Sequence, residues 1–294
     1  MRADRECYTC CVDKARTLLG QYDVPEHDAA KVLSHIKGKL ETAGADTSAP
    51  ILMAQAMRML EEQTGITDAF DVPKKRYNKL LLGMEDSIYD EIMREKDRFL
   101  AALQYAITGN YIDFGAMSDV EEEKLYELLS DRAEVKPDCE EATRLEAELS
   151  GASRLVYITD NAGEIVLDKV FLRVIKELYP KLQITVIVRG KPVLNDATAE
   201  DAKLVGIDTI AAIIPNGTDI PGTPIDGISR AAREAIEAAD LCIAKGQGNF
   251  ETLRGCGKNI YYLFLCKCEL FVRKFQVERF TPVLSNEKRI VQYA

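Results

Sequence analysis

Near residue 150 the hydrophobic pattern of this 294-residue chain changes period, and that change restricts the fold open to it. Before it, apolar side chains recur every three or four residues over 11–19, 29–40 and 51–60, with Ser48 ahead of Pro50 as a helix start. From Leu80 onward Leu81, Met84, Ile88 and Ile92, continued by Phe99 and Leu103, predict one long or kinked helix to about Ile107. Ser118 and Glu121 stand at the capping-box spacing and predict a further helix, and 138–149 gives the last one. After Ser150 and Gly151, short β-branched runs at 155–159, 184–188, 209–214, 241–243 and 260–264 alternate with helical stretches at 165–178, 197–205 and 229–238. Strands without internal alternation, joined by helices, mean a mostly parallel sheet buried on both faces. The expected fold class is α/β: a helical cap domain over 1–150 and a Rossmann-like domain over 151–294.

Composition removes several chemistries. The only histidines, His27 and His35, lie in one amphipathic stretch, so sites needing several histidines are nearly closed off. Catalysis must rest on carboxylates, amides, lysine or thiols. A net charge of −10 argues against a nucleic-acid partner held by a basic surface. The first seven residues alternate in charge and do not resemble a secretory leader, and no apolar run is long enough to span a membrane. A cytoplasmic protein is expected, with its eight cysteines reduced.

In an open α/β sheet, ligands bind beyond the carboxyl ends of the strands. The first run leads into Asp160 and Asn161, then Gly163 and Glu164. A carboxylate beside an amide offers hard oxygen ligands to a divalent cation such as magnesium or manganese, although the same residues also serve as ordinary helix caps and turns. The second run ends in Arg189 and Lys191, followed by Asn195 and Asp196, which either completes that metal site or caps a helix. The fourth ends at Lys245, Gly246 and Gly248, with Asn249 and Glu251 beyond, a lysine–glycine loop suited to phosphate or to a plain turn. Its spacing matches neither a P-loop nor a dinucleotide fingerprint. Together the strand ends suit a metal ion and a lysine neutralising a phosphoryl group. Ala162 stands where aspartyl-phosphate phosphatases carry a second aspartate, which favours attack by water over a covalent aspartate. The turn-rich loop from Asn216 through Asp219 and Gly222, and the segment Asn110 to Asp113 between Gly109 and Gly115, are candidates to close the site.

The cysteines form a second constellation. Cys7 and Cys10 make a C-x-x-C ahead of Cys11, and Cys266 and Cys268 come near the other end. Four such thiols would suit zinc if the two groups meet, and would otherwise pack as small hydrophobes.

The ordered motifs, C-x-x-C at Cys7, N-Y-I-D-F-G from Asn110, D-N-A-G-E from Asp160, N-D at Asn195, N-G-T-D-I-P-G-T from Asn216 and K-G-Q-G-N-F-E from Lys245, resemble the metal-dependent damage-control phosphatases, formerly domain of unknown function 89. The C-x-x-C and K-C elements look like the branch found mainly in archaea and bacteria. The resemblance implies a helical domain packed on a Rossmann-like domain, and hydrolysis of small phosphate monoesters, either sugar phosphates or damaged phosphometabolites. It implies that Asp160, Asn161 and Asp196 ligate a catalytic magnesium, manganese, cobalt or nickel ion, and that Lys245 holds substrate phosphate. Glu164, Asn110, Asp113, Asn249 and Glu251 would line the pocket. Two other readings stand beside it: an adenosylmethionine-dependent carboxyl methyltransferase, for which no glycine-rich fingerprint follows the first run, and a non-catalytic zinc or redox module built on the cysteines. The tail from Phe271 carries none of these motifs.

Overall fold

The structure, a computed structural model, describes residues 1–44, 46–113 and 122–290. Helices fill the first half: α1 (Arg5–Gln21), α2 (Glu26–Glu41), α3 (Ala49–Thr64), α4 (Asp71–Leu82), α5 (Glu85–Arg94), α6 (Arg98–Gly109), α7 (Glu122–Ser130) and α8 (Cys139–Gly151). Local chemistry sets their starts. Asp4, Asp97 and Asp138 each cap a helix by accepting a backbone N–H from its first turn, and Ser48 precedes α3 as expected. The long helix predicted from Leu80 to Ile107 is instead the end of α4 followed by α5 and α6. Gly83 ends α4, and Glu95 is extended ahead of the Asp97 cap, so end signals cut an apolar period that continues across the breaks. Most of α4 escapes a periodicity reading because its buried face carries Lys74, Tyr77 and Asn78 beside Leu81. The predicted Ser118–Glu121 cap lies outside the described residues.

The second half runs β1 (Arg154–Ile158), α9 (Glu164–Leu178), β2 (Gln183–Val188), α10 (Ala199–Leu204), β3 (Ala212–Pro215), α11 (Arg230–Ala238), β4 (Leu241–Lys245), α12 (Gly246–Leu253), β5 (Ile260–Leu265), α13 (Glu269–Phe275) and β6 (Pro282–Asn286). These strands form one sheet in the order β3-β2-β1-β4-β5-β6, parallel except for β6 against β5. The α/β class with a Rossmann-like order is therefore as expected. The third strand is shorter and later than the predicted 209–214, because Ile207–Thr209 closes as a 3-10 turn. Its last residue, Pro215, is tolerated on an edge strand. β6 gives no period in the sequence, since only Val283 and Leu284 are apolar within it.

The chain builds β2 and β3 on one side of β1, then returns to place β4 on the other, so the connections diverge between β1 and β4 and leave a crevice at their carboxyl ends. Tyr157, Val186, Ile243 and Leu263 share one core with residues of α6 and α9. Val156, Ile158, Ala244, Tyr262 and Phe264 pack on the opposite side with Ile236, Phe250, Phe271 and Phe275 of α11, α12 and α13. A third cluster joins α1, α2 and α3 through Leu18, Ile36, Leu52 and Leu60, and into it the loop after β2 inserts Val193 and Leu194. Each such fully buried aliphatic side chain contributes roughly 1.5–3 kcal/mol. That anchor fixes the short stretch of chain leading to Asp196.

Candidate active site

The β1–α9 turn and the loop after β2 are zipped together by backbone. Ala162 N–H donates to Asn195 O at 2.8 Å, Ala197 N–H to Asp160 O at 2.7 Å, and Asn161 pairs with Asp196 in an isolated antiparallel bridge. Two loops distant in sequence thus deliver Asp160, Asn161 and Asp196 to one place. Asn161 Nδ2 donates to Asp160 Oδ2 and Glu164 Oε2, both at 2.8 Å, which turns its carbonyl oxygen away from those carboxylates. From the end of α6, Asn110 Nδ2 donates to Asp160 Oδ2 at 3.1 Å and to Glu164 at 3.0 Å, while its Oδ1 accepts Leu265 N–H at 2.9 Å. Gly246, with φ +78°, passes so close that an added Cβ would stand 2.0 Å from Asp160 Oδ2.

Asp160 and Asp196 are buried among like charges. Burial, then Glu164, Asp196 and Asp113, hold Asp160 well above the usual carboxylate range. Burial pushes Asp196 up to about 6 even though the Arg189 guanidinium pulls it down. Arg189 donates from Nε to Asp196 Oδ2 at 2.5 Å and from Nη1 to Thr223 and Asn249, while Nη2 lies 3.6 Å from Asp160 Oδ1 without a hydrogen bond among the described residues. Around this turn the described residues place five carboxylates, Asp113, Asp160, Glu164, Asp168 and Asp196, against three cations, Arg189, Lys245 and Lys267. With every group in its charged form the excess is two negative charges, and with hard oxygen donors at its centre the cluster fits a divalent cation. Among the described residues no three histidine, cysteine, aspartate or glutamate side chains form a metal-holding group, so the candidate set is two carboxylates and one amide oxygen.

A cavity of about 370 Å³ opens from this cluster and is lined by Asp113, Asp160, Asn161, Asp196 and Lys267 at one end. Met53, Leu194, Leu270 and Phe271 add apolar wall, and Cys7, Cys10, Cys11, Cys268 and Glu251 also border it. A larger open groove of about 1090 Å³ runs along α1 among Arg2, Arg5, Arg16 and Lys37, but it reaches none of the strand-end residues. Of the residues expected at the pocket, Asp160, Asn161, Asp196, Asp113 and Glu251 are on its wall, whereas Asn110, Glu164, Asn249 and Lys245 stand behind it. Asn249 ties Thr159 O and Lys245 O together and accepts from Thr223. Glu251 is buried, burial pushes it up to about 7, and its Oε2 has no hydrogen-bond partner among the described residues.

Lys245, expected at the phosphate, is fully buried and donates to Ala106 O, Glu164 Oε1 and Asp168 Oδ1. The cavity's own lysine is Lys267, on the loop after β5, which donates to Asn110 O at 2.6 Å and pairs with Asp113 at 2.5 Å. Sequence reading missed it, yet the signal was present: it follows a parallel strand at its carboxyl end. The cysteine groups do approach each other, since Cys7, Cys10 and Cys268 border the same cavity, but Cys266 is sealed in the phenylalanine-rich core. Burial pushes the Cys7 thiol up to about 12 and raises Cys10 and Cys268, so these are thiols rather than thiolates at neutral pH.

Helix α4 secures the turn from outside. Asn78 Oδ1 accepts Gly163 N–H at 2.6 Å, its Nδ2 donates to Asp201 at 2.9 Å, and Lys74 pairs with Asp201 at 2.7 Å. Asn78→Ala leaves that buried N–H unpaired, and is expected to cost about 1–3 kcal/mol, read as a lower melting temperature and weaker metal binding. An unchanged melting temperature would show that α4 does not secure the turn.

The model of the damage-control phosphatase ARMT1-like domain matches residues 3–283. A damage-control phosphatase of Archaeoglobus fulgidus is 34% identical over 277 residues, covering 93% of this chain and 88% of that protein. An uncharacterized protein of Methanocaldococcus jannaschii is 33% identical, covering 90% of this chain and 88% of its own. The crystal structure of a DUF89 family protein from Pyrococcus horikoshii superposes with a TM-score of 0.82 at 28% identity, covering 98% of this chain and 99% of that one. With the family match running almost end to end, the chain belongs to the ARMT1-like damage-control phosphatases, metal-dependent enzymes that act on small phosphometabolites.

Proposed function

We propose that the cavity at the β1/β4 crevice hydrolyses small phosphate monoesters with a divalent cation, magnesium, manganese, cobalt or nickel, held by Asp160, Asn161 Oδ1 and Asp196. When bound, that cation supplies Lewis-acid polarisation of the phosphoryl group and promotes attack by water. The protein's own residues do the rest. Lys267 sets a positive charge beside the phosphoryl oxygens, steadied by Asp113 and by the Asn110 carbonyl. Arg189 locks the Asp196 carboxylate in one orientation. The wall of Met53, Leu194, Leu270 and Phe271 receives the leaving group and excludes bulk water.

The observation that carries this reading is a single cavity wall on which Asp160, Asp196, the Asn161 amide and the buried Lys267 stand together. The C-x-x-C at Cys7 and the Lys267–Cys268 pair support membership of the cysteine-bearing branch of the family, and the proposed division is a helical domain over 1–150 and a Rossmann-like domain over 151–294. A cytoplasmic location is part of the same proposal, and no helix of the described residues is long and apolar enough to cross a membrane. The methyltransferase reading gains no support, because β1 opens directly onto Asp160 and Asn161.

The test is phosphate release from a panel of sugar phosphates and other phosphometabolites after treatment with chelator. No release is expected without metal, and restoration by at least one of the four cations. Undiminished turnover in chelator would overturn the proposal.

A further inference from the structure

We propose that Lys245 is a positioning residue: backed by Asp168 and Tyr157, it holds Glu164 against the amides of Asn161 and Asn110 and does not touch the substrate phosphate. This rests on the metal site proposed above. An ammonium group has three N–H donors. Those of Lys245 end on Ala106 O at 2.8 Å, Glu164 Oε1 at 2.6 Å and Asp168 Oδ1 at 2.6 Å. Its side chain is fully buried and forms no part of the cavity wall. All three donors are taken, and the cavity wall does not include this lysine.

The chain of contacts continues to the metal site. Glu164, itself fully buried, accepts Asn161 Nδ2 at 2.8 Å and Asn110 Nδ2 at 3.0 Å. A carboxylate only accepts, so it selects the NH2 end of each amide and drives the carbonyl end the other way. For Asn161 that carbonyl is the proposed metal ligand. Lys245 balances Glu164, Asp168 supplies the second countercharge, and the Tyr157 hydroxyl donates to Asp168 Oδ1 at 2.6 Å. Buried ion clusters of this kind contribute little net stability, because desolvation offsets the attraction, but they do fix geometry. Lys267 differs in the decisive respect that it stands on the cavity wall with two partners among the described residues.

The experiment compares Lys245→Met, Asp168→Asn and Lys267→Met in two separate measurements: Mn²⁺ affinity by calorimetry without substrate, and the inhibition constant of inorganic phosphate at saturating metal. Lys245→Met is expected to weaken Mn²⁺ binding by roughly tenfold to a hundredfold, the range for residues that orient metal ligands, with phosphate inhibition at its wild-type value. Asp168→Asn is expected to shift the same quantity by less, and Lys267→Met to show the converse pattern. A Lys245→Met protein that binds Mn²⁺ normally but loses phosphate inhibition would overturn the assignment. Should that variant fail to fold, Asp168→Asn decides, and unchanged Mn²⁺ affinity there overturns it equally. Wild-type protein that binds Mn²⁺ yet releases no phosphate from any ester would sink the phosphatase reading while leaving the Mn²⁺ comparison able to judge Lys245.

Discussion

Asp160→Ala is expected to lower metal-dependent phosphate release at least a thousandfold, about 4 kcal/mol of lost transition-state stabilisation, while raising the melting temperature of the metal-free protein. The two effects have one cause. In the folded chain Asp160 is buried beside Glu164, Asp196 and Asp113, and its carboxyl lies well above the usual range, so its charged form opposes folding at neutral pH. Removing it relieves that repulsion, and the amides of Asn110 and Asn161 keep Glu164 as an acceptor. A carboxylate retained at a cost to the empty fold is what a functional cation site requires. Phosphate release and a thermal melt in chelator check both halves. Retained activity would remove Asp160 from the site, and a lowered melting temperature would contradict the electrostatic account.

Gly246→Ala should be nearly as damaging for a different reason. The backbone there has φ +78°, and the new Cβ would meet the Asp160 carboxylate at 2.0–2.7 Å. Left-handed strain and the clash together are expected to cost roughly 2–5 kcal/mol and to displace Asp160 from its partners. Combining it with Asp160→Gly separates the two contributions, since the clash disappears and only the strain remains. The double variant should therefore be more stable than the sum of the two single changes gives, as a thermal denaturation cycle would read. If the two effects simply add, the carboxylate is not what the methyl group meets.

That Asp160, Asn161 and Asp196 gather at one crevice is legible in the sequence, because β-branched runs mark parallel strands and the carboxyl ends of parallel strands lie together. What one sequence does not display is which of two buried strand-end lysines lines the cavity. Lys245 and Lys267 both follow strands, and the difference is made by Asp168, one turn into α9, which sits on that helix's buried face among apolar neighbours. Cys266 and Cys268 pose the same problem. Two residues apart just after β5, Cys266 is sealed in the core while Cys268 packs at that core's edge and borders the cavity. Helix α4 hides its role for a related reason, as its buried face is polar and its partner Gly163 N–H is 85 residues away. Such pairings are tertiary facts, and local pattern contains little of them.

Asn110 links the site to the order in which the molecule assembles. Its side chain and carbonyl meet partners 50, 54, 155 and 157 residues further along, so the helical half, the β1 turn and the loop after β5 must all be in place before they close on it. Contacts of such long range form late, after closure of the loops between them has been paid for in entropy. Until then Lys267 lacks its seat and Asp160 its second amide. A half-folded chain is accordingly expected to release no phosphate, and the onset of turnover during refolding is expected to lag the return of helical signal.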